Sequence, residues 1–377
     1  MPEIKVDTIV DAAGTGKPNF SNGVTMNGAA VSTLNVGEYN ASSSEPSSPQ
    51  NGSIWWDTTN EKIFIYIAGE WRETIGIAPT TWYGDRALVH AGERGGSSSN
   101  TIDYFDITTT GNASDFGDTT SATAQGTAAG ANNRTIFKLG LGSYTNTLEY
   151  VTPSTLGNCT DFGDTIQAGR DNSAVADGTY MLIHGGNFVN TYGKIDYVTI
   201  ATTGNASAFG DCTVSPEGTT SAGDATRAVH KMEHGASNKT SVNQTIEYTT
   251  MATPSNATDF GDDSVMHTFC AAASGDGKFV VMGGKSYNSN TFLNTMSYVT
   301  IQTTGNAADF GDLSYSPDYF DATSNYSRGV AMGGRISGSG EVNTISYWAF
   351  STTGNASDFG DLAGTSMAVM AGSGSPS

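Results

Sequence analysis

One phrase of eighteen residues recurs six times in the chain, and it limits the fold more than any other feature. Each copy has a Tyr within an apolar–polar alternation and a Phe twelve residues later. The pairs are Tyr104/Phe116, Tyr150/Phe162, Tyr197/Phe209, Tyr248/Phe260, Tyr298/Phe310 and Tyr347/Phe359. Successive copies are 46 to 51 residues apart, a spacing typical of propeller blades rather than helical repeats. We therefore expect an all-β, six-bladed β-propeller.

The copy over residues 168–211 shows what one blade contains. Its segments are separated by Asp177-Gly178, by a Gly-containing loop at 187–193 and by TTGNAS at 202–207, which are turn signals. The run IDYVTI alternates as a half-buried strand does. Four strands per repeat and almost no helix are the prediction.

The two ends of the repeat region predict how the ring closes. The first copy begins with a second-type strand, 86–92, and lacks a first strand. The last copy is followed by one more strand-like segment, roughly 365–372. We expect this C-terminal strand to fill the gap, which would remove the free sheet edges.

The connections between strands predict two unlike faces. In an antiparallel four-strand meander, the 1–2 and 3–4 turns lie on one face and the 2–3 and 4–1 loops on the other. The 3–4 turn is nearly constant, TTGNAS or TTGNAA in four copies, whereas the 2–3 loops differ in length and content. A constant face suits structure, and an individual face suits recognition.

Charge and cysteine content limit the function classes. The net charge is −20, from 37 acidic and 17 basic residues, which argues against nucleic acid and anionic membranes as partners. Three cysteines without CxxC spacing indicate free thiols. The first residues show no apolar core of signal-peptide length, so we expect synthesis in a host cytoplasm. No cofactor is expected.

Three segments precede the ring. Residues 1–37 combine a short alternating run with Gly-rich turns, and residues 38–52 are Ser/Pro-rich and indicate a linker. Residues 53–78 predict a small β-meander rich in aromatic residues, with Trp55, Trp56, Phe64, Tyr66 and Trp71. The propeller would then occupy residues 79–377.

Several of these motifs resemble those of bacteriophage proteins. The opening IKVDTIVDAAGTGKPNFSNGVTMNG resembles the attachment end of tail-fibre and other virion appendage proteins, and GSIWWDTTNEKIFIYIAGEW is similar to a module found in them. The Gly-Gly doublets and Tyr positions resemble kelch-type propeller repeats, with Phe116 and its counterparts in place of the usual kelch Trp. The GNASDFGD boxes resemble those of marine tailed-phage structural proteins. The resemblance implies a homo-oligomer, with a trimer favoured, located in the virion tail.

Several sets of residues could form metal-binding, catalytic or calcium-binding sites. His90, His184 and His234 precede Gly doublets or their equivalents and could converge on an ion, although Met282 and Met332 take the same place in later copies. Arg86, Arg134 and Arg328 open second strands, whereas Arg170 and Arg227 are expected in first strands, so a sialidase-like arginine cluster is not favoured. The Asp-Phe-Gly-Asp boxes lack the other kinase elements and calcium-loop spacing, and are interpreted as structural. The Asn residues of the 3–4 turns are expected to adopt positive φ and bond their own backbone.

The individual face is the predicted ligand-binding face. Aromatic residues among Asn and Ser suit sugar stacking or a wet protein interface. The candidates are Phe188, Asn190, Tyr192, Tyr287, Asn288, Asn290 and Phe292 in 2–3 loops, and Tyr315, Tyr319 and Phe320 in a 4–1 loop.

The favoured function is a tail fibre or adhesin without catalysis. It would bind other tail proteins through residues 1–37 and a host-surface glycan or protein through the propeller. The alternatives are a purely architectural virion component, such as a collar, spacer or decoration protein, and a glycan-cleaving tail enzyme.

Overall fold

A computed structural model describes two separate parts of the chain. Before the ring it covers residues 24–26, 29–31, 39–42, 44–49, 53–57, 62–67 and 70–74, and then 84–374 except 132–133, 141–143, 189–190, 236–243 and 367–369. The chain divides into two compact units, Met1–Ala78 and Pro79–Ser377. Most of the predicted attachment segment, residues 1–37, lies outside the described residues; within it Val24–Met26 and Ala29–Val31 form an antiparallel pair.

The first unit contains the small aromatic sheet. Its strands Ile54–Asp57, Lys62–Ile67 and Glu70–Thr74 form the expected antiparallel meander. A fourth strand, Tyr39–Ser42, pairs parallel to Ile54–Asp57, so the predicted linker 38–52 is wrong at its start. Composition marked this stretch as a linker, but its backbone completes the sheet edge, where the indole N–H of Trp55 donates to the Ser42 carbonyl at 3.1 Å.

The second unit is a six-bladed β-propeller in which every blade is an antiparallel four-stranded sheet. We number the blades by their Tyr residues, from Tyr104 in blade 1 to Tyr347 in blade 6, and the strands of each blade from the inside outward. The strands are Met370–Gly374, Arg86–His90, Ser97–Asp106 and Ser114–Thr123 in blade 1; Thr127–Ala131, Arg134–Lys138, Thr147–Val151 and Thr160–Asp164 in blade 2; Ser173–Ala176, Tyr180–His184, Lys194–Thr199 and Ser207–Asp211 in blade 3; Pro216–Gly223, Arg227–Gly235, Thr245–Thr250 and Thr258–Asp262 in blade 4; Ala271–Gly275, Lys278–Met282, Thr295–Thr300 and Ala308–Asp312 in blade 5; and Asp321–Ser324, Arg328–Met332, Gly340–Ala349 and Ser357–Ser366 in blade 6.

Short extra strands decorate the loops, and the described residues contain no helix. The extra strands are Glu93–Arg94, Gly169–Arg170, Asn187–Phe188, Thr191–Tyr192, His267–Thr268, Lys285–Ser286 and Arg335–Ile336. Accordingly, none of the described segments is a helix that could cross a membrane.

The C-terminal strand closes the ring as predicted. Met370–Gly374 pairs antiparallel with Arg86–His90, with Met370 opposite His90 and Gly374 opposite Arg86. The closing strand begins later than expected, because residues 365–366 instead complete the fourth strand of blade 6. Each innermost strand contacts the innermost strands of both adjacent blades, so these strands surround a central channel.

The apolar core lies between blades rather than inside them. Six clusters of buried apolar side chains follow one another around the ring, one at each junction of neighbouring blades. At the junction of blades 1 and 2, for example, Phe116 from the first blade packs with Phe137 and Val151 from the second. Burial of such side chains stabilises a fold by roughly 1.5–3 kcal/mol each. The apolar residues that alternate along the strands of each blade therefore pack against the neighbouring blade.

Candidate functional site

The ring has two faces that differ in kind. We call one the joint face; it carries the 3–4 turns 107–113, 152–159, 200–206, 251–257, 301–307 and 350–356. We call the other the loop face; it carries the 2–3 and 4–1 loops, including 91–96, 185–193, 283–294, 313–320 and 333–339. Antiparallel pairing of all four strands places these connections at opposite ends of each blade.

On the joint face, each turn bonds to the outer strand of the preceding blade. Its Asn side-chain oxygen accepts the backbone N–H of the last Asp in the neighbouring Asp-Phe-Gly-Asp box, which is Ala-Phe-Gly-Asp in blade 3, at 3.1 Å in all six joints. The pairs are Asn158/Asp118, Asn205/Asp164, Asn256/Asp211, Asn306/Asp262, Asn355/Asp312 and Asn112/Asp361. Two backbone bonds reinforce most joints, such as Gly204 N–H to the Phe162 carbonyl at 2.8 Å and Ala206 N–H to the Asp164 carbonyl at 2.7 Å.

The expectation for these Asn residues is therefore wrong in its mechanism. None of them is among the non-Gly residues with positive φ, and each amide bonds another blade rather than its own backbone. It is also the backbone N–H of the Asp, not its carboxylate, that forms this bond. A single repeat cannot show this, because the partner group is contributed by the neighbouring copy.

The Gly and Phe of each box explain the rest of the motif. A Cβ on Gly311 would lie 2.4 Å from the carbonyl oxygen of Gly354 in the next blade, so the joint closes only around glycine. Phe116 and its five counterparts are buried and lie edge-on to the Tyr of their own blade, with ring centroids 5.7 to 5.9 Å apart. The structural interpretation of the box is confirmed.

Arginines also serve the joints. Arg86, Arg134, Arg227 and Arg328 begin second strands; each guanidinium lies 4.4 to 4.9 Å from the Tyr ring centroid of its blade and donates to a carbonyl of the next blade. The placement of Arg227 in a first strand is wrong, because the second strand of blade 4 begins at this residue. Arg170 is also misplaced: it lies in the short strand Gly169–Arg170, before the first strand of blade 3.

On the loop face, the mouth of the central channel forms a cavity of about 460 Å³. It is lined mainly by residues just before and at the start of the innermost strands of blades 2 to 6, together with Asn187 and Glu233. The polar, charged and aromatic residues of this lining include Gln125, Arg170, Asp171, Asn172, Glu217, Glu233, Phe269 and Tyr319. We call this the channel-mouth cavity.

Four of these lining residues have the same unusual backbone conformation. Gln125, Asp171, Phe269 and Tyr319 have φ between +51° and +55°, and each lies two residues before the innermost strand of its blade. Left-handed conformations cost about 1–2 kcal/mol for residues other than Gly, and they concentrate at functional sites. Here the strain is repeated in four blades while the side chains are all different.

Hydrogen bonds fix this backbone around the mouth. Asp171 N–H donates to the Gln125 carbonyl at 2.9 Å, and Tyr319 N–H donates to the Phe269 carbonyl at 3.3 Å. In blade 4 no residue just before the innermost strand has a left-handed backbone. Instead, the Glu233 carboxylate of this blade accepts hydrogen bonds from the Phe269 N–H and the Cys270 thiol. Burial raises the pKa of Glu233 and of Cys270, the latter one of three free cysteines.

One side of the cavity is polar and charged. The Arg170 guanidinium donates to Gln125 Oε1 at 3.1 Å, and its Nε lies 3.5 Å from Asp171 Oδ2. Burial raises the pKa of Asp171 to about 6, against the opposing effect of Arg170. Asn172 is 5% exposed and donates Nδ2–H to the Gly185 carbonyl at 2.6 Å, while its Oδ1 has no hydrogen-bond partner among the described residues.

The other side is an aromatic wall. The rings of Phe269 and Tyr319 stack with centroids 4.2 Å apart, and the Arg335 guanidinium lies 5.2 Å from the Tyr319 ring centroid. Arg335 is held by two bonds to buried Asp318, which also pairs with Lys285 at 3.0 Å. Burial raises the pKa of Tyr319 to about 12, so its hydroxyl stays neutral.

The structure distributes the predicted face residues unevenly. Tyr319 lines the cavity, and Asn288 and Asn290 are exposed on the 2–3 loop of blade 5. Tyr287 and Phe292 are half-buried, with Lys285 4.6 Å from the Phe292 ring centroid. Asn190 lies outside the described residues, as do the side chains of Phe188 and Tyr192, whose backbones pair in a short hairpin.

Two predicted aromatic residues pack against the ring, although Phe320 also lines the channel-mouth cavity. Phe320 is 5% exposed and packs in the apolar cluster between blades 5 and 6. The Tyr315 hydroxyl donates to the Gly333 carbonyl at 3.1 Å, and burial raises its pKa well above the usual value. Both were predicted to be exposed because they lie in a loop, but this 4–1 loop folds inward against blade 6.

The proposed equivalence of three histidines is wrong. The last residue of each short second strand, and its equivalent in blade 4, gives the set His90, Lys138, His184, Lys231, Met282 and Met332, all fully buried. His234 lies three residues further along, since the second strand of blade 4 is longer, and its side chain is outside the description. No group of three or more His, Cys, Asp and Glu side chains in the described part is placed to hold a metal ion.

The buried histidine next to the cavity is poorly suited to catalysis. Ser221 lines the cavity, and its hydroxyl lies 3.1 Å from His230 Nδ1. Burial lowers the pKa of His230 to about 3, so its imidazole is a weak base for activating a hydroxyl at neutral pH. The His184 ring lies against it, with 3.6 Å between centroids and 36° between the ring planes, which encloses it further.

Sequence reasoning missed most of the channel-mouth cavity. Arg170, Asp171, Asn172 and Phe269 precede innermost strands, and Glu217 lies at the start of one, in segments that the repeat comparison treated as parts of first strands or of connections. The sequence offered one signal, which was a position. The residue two places before each first strand differs from copy to copy, whereas the first strands themselves consist mostly of small residues.

Comparisons with known proteins support the fold alone. No protein-family model and no curated protein matches the sequence. Among solved structures, one titled "Structure of YjhT" matches with a TM-score of 0.55 and 11% sequence identity, over 71% of this chain and 95% of that chain. YjhT is a propeller protein, and at this identity the likeness shows a shared architecture and nothing about activity.

Proposed function

We propose that this chain is a tail protein of a bacteriophage particle, and that its propeller attaches the particle to a glycan on the host surface without cleaving it. One observation carries the proposal: the joint face repeats one bond six times, whereas the loop face has a polar cavity lined by unlike residues, four of them with a left-handed backbone. A protein that only filled space would have no use for that second feature.

Features outside the cavity support the virion part of the proposal. The opening segment and the Trp-Trp-Asp module resemble those of virion appendage proteins. In the first unit, Trp55 stacks on Phe64 at 4.9 Å and lies edge-on to Trp71 at 5.8 Å, so the aromatic residues of the small sheet pack against one another. Attachment to tail partners through residues 1–37 and trimer formation remain parts of the proposal that rest on sequence resemblance.

The chemistry of the cavity supports binding rather than catalysis. Its hydroxyl–imidazole pair, Ser221 and His230, has a base with a pKa of about 3. Polar groups beside stacked aromatic rings are the usual composition of a small-ligand site. A glycan with several hydroxyl groups fits this composition.

The test uses the labelled full-length chain on a panel of bacterial cells and purified envelope polysaccharides. We expect saturable binding to one class of polysaccharide, competition by the same soluble polysaccharide, and no accumulation of reducing sugar over hours. Steady release of reducing sugar would instead establish the glycan-cleaving enzyme. Absence of binding on every surface, together with imaging that places the chain inside the tail, would establish the architectural component.

A further inference from the structure

We propose that the channel-mouth cavity binds an amino sugar, with its ammonium group directed to Asp171 and Glu217. This inference rests on the proposed glycan-binding function and specifies its ligand.

The charge of the lining selects against anions. Its charged side chains are one arginine, Arg170, and four carboxylates, which are Asp171, Glu217, Glu233 and Asp321. Arg170 is already engaged with Gln125 and Asp171. Fully buried Lys138 and Lys231, which do not line the cavity, offset part of the charge of Asp171 and Glu233, but the lining itself keeps an excess of carboxylates. In a partly enclosed cavity this excess is weakly screened, so it attracts a cation and repels a sugar carboxylate or phosphate.

Size and rigidity complete the site. A volume of about 460 Å³ lies within the roughly 300–1,000 Å³ typical of small-ligand sites and accommodates a sugar unit. The left-handed backbone at Gln125 and Asp171 is held by a 2.9 Å bond, which orients the carboxylate before a ligand arrives. Such preorganisation reduces the ordering that binding would otherwise require.

The test compares methyl glycosides of glucosamine, glucose and N-acetylneuraminic acid by titration calorimetry with the full chain at pH 7. The expected result is that the glucosamine glycoside binds at least about tenfold more tightly than the glucose glycoside, since a charge-assisted bond contributes about 1.5–3 kcal/mol. The anionic sugar should show no measurable binding. Tighter binding of the anionic sugar would overturn the proposal.

Variants then locate the effect. Asp171→Asn keeps a residue that tolerates the left-handed conformation and removes only the charge, so it should weaken glucosamine binding about tenfold and change glucose binding less than twofold. Glu217→Gln provides a second, independent variant with the same expectation. Asp161→Asn, an exposed residue in the Asp-Phe-Gly-Asp box of blade 2, makes the same change in net charge and should have no effect.

Failure of this inference is distinguishable from failure of the proposed function. If the chain binds a host polysaccharide but neither Asp171→Asn nor Glu217→Gln alters glucosamine binding, the ligand lies on the outer loops and this inference is overturned. If glucosamine binds with the expected variant pattern but no cell surface is bound, the inference is supported and the attachment function is wrong.

Discussion

The joint face and the loop face are built from the same repeats, yet they differ in how far they repeat and in their backbone strain. On the joint face, strain is avoided and every blade makes the same Asn-to-N–H bond at 3.1 Å. On the loop face, four unlike residues adopt left-handed conformations around a cavity. The difference indicates that repetition maintains the ring, while the loop face departs from repetition without breaking it.

The largest expected effect comes from a methyl group on the joint face. In Gly311→Ala the new Cβ would lie 2.4 Å from the Gly354 carbonyl oxygen, and the residue would keep a φ of +147°, which alanine rarely adopts. Because the obstacle is backbone, we expect a loss of about 3 kcal/mol or more in unfolding free energy, measured by urea denaturation. The matched control is Gly354→Ala across the same joint, where a Cβ meets nothing within 4 Å and the loss should be under about 1 kcal/mol. Equal losses would show that the joint is not closely packed.

The next largest effect is a loss of stability in acid, which we expect from two buried histidines at the loop-face ends of their strands. Burial lowers the pKa of His90 to about 3 and that of His184 well below its usual value, so both are neutral in the folded chain. The unfolded chain takes up protons near pH 6.5, so these residues stabilise the fold fully above that pH and progressively less as the pH falls toward 3. Carboxyl groups with a raised pKa, such as Asp171, oppose part of this loss.

The repeats provide a substitution that isolates one of these histidines. His184→Met places at blade 3 the residue that blades 5 and 6 already have at Met282 and Met332, and the His184 ring nitrogens have no hydrogen-bond partner among the described residues. Relative to the unsubstituted chain, we expect the variant to gain about 2 kcal/mol in unfolding free energy between pH 7.5 and pH 5, measured by urea denaturation at both values. An unchanged pH dependence would contradict the neutral, buried state of His184.

A smaller effect is expected for single joint bonds. Asn306→Ala removes the acceptor for the Asp262 N–H and should lower the unfolding free energy by about 1 kcal/mol. Asn288→Ala, on the loop face, removes an exposed amide with only a 3.7 Å contact to Met266 sulfur, and should change it by less than about 0.5 kcal/mol. If the two variants are equally stable, the joint bonds do not distinguish the faces.

The repeat predicted the ring, its closure and the inequality of its faces, because blade spacing and strand alternation are local properties of the sequence. The sequence could not show the Asn–Asp joints or the bond from Arg227 to the Ile301 carbonyl, since each partner belongs to another copy. It also placed Tyr315 on the surface, where the folded loop buries its hydroxyl. The left-handed residues escaped notice for a related reason: Gln, Asp, Phe and Tyr carry no common signal for positive φ.

The smallest stability effect is also the one that separates strain from function. Asp171→Gly on the loop face and Asp276→Gly in the 1–2 turn of blade 5 both replace a left-handed aspartate, with φ of +55° and +46°. Each should relieve about 1 kcal/mol of backbone strain, partly offset by the greater freedom of glycine in the unfolded chain, so thermal denaturation should show similar small shifts. Binding should separate the two variants, because Asp171 lines the cavity, whereas the Asp276 carboxylate contacts Lys278 at 3.3 Å at the opposite end of its blade. If Asp171→Gly binds host polysaccharide as well as Asp276→Gly does, the strain at the channel mouth is a by-product of blade geometry rather than a feature retained for recognition.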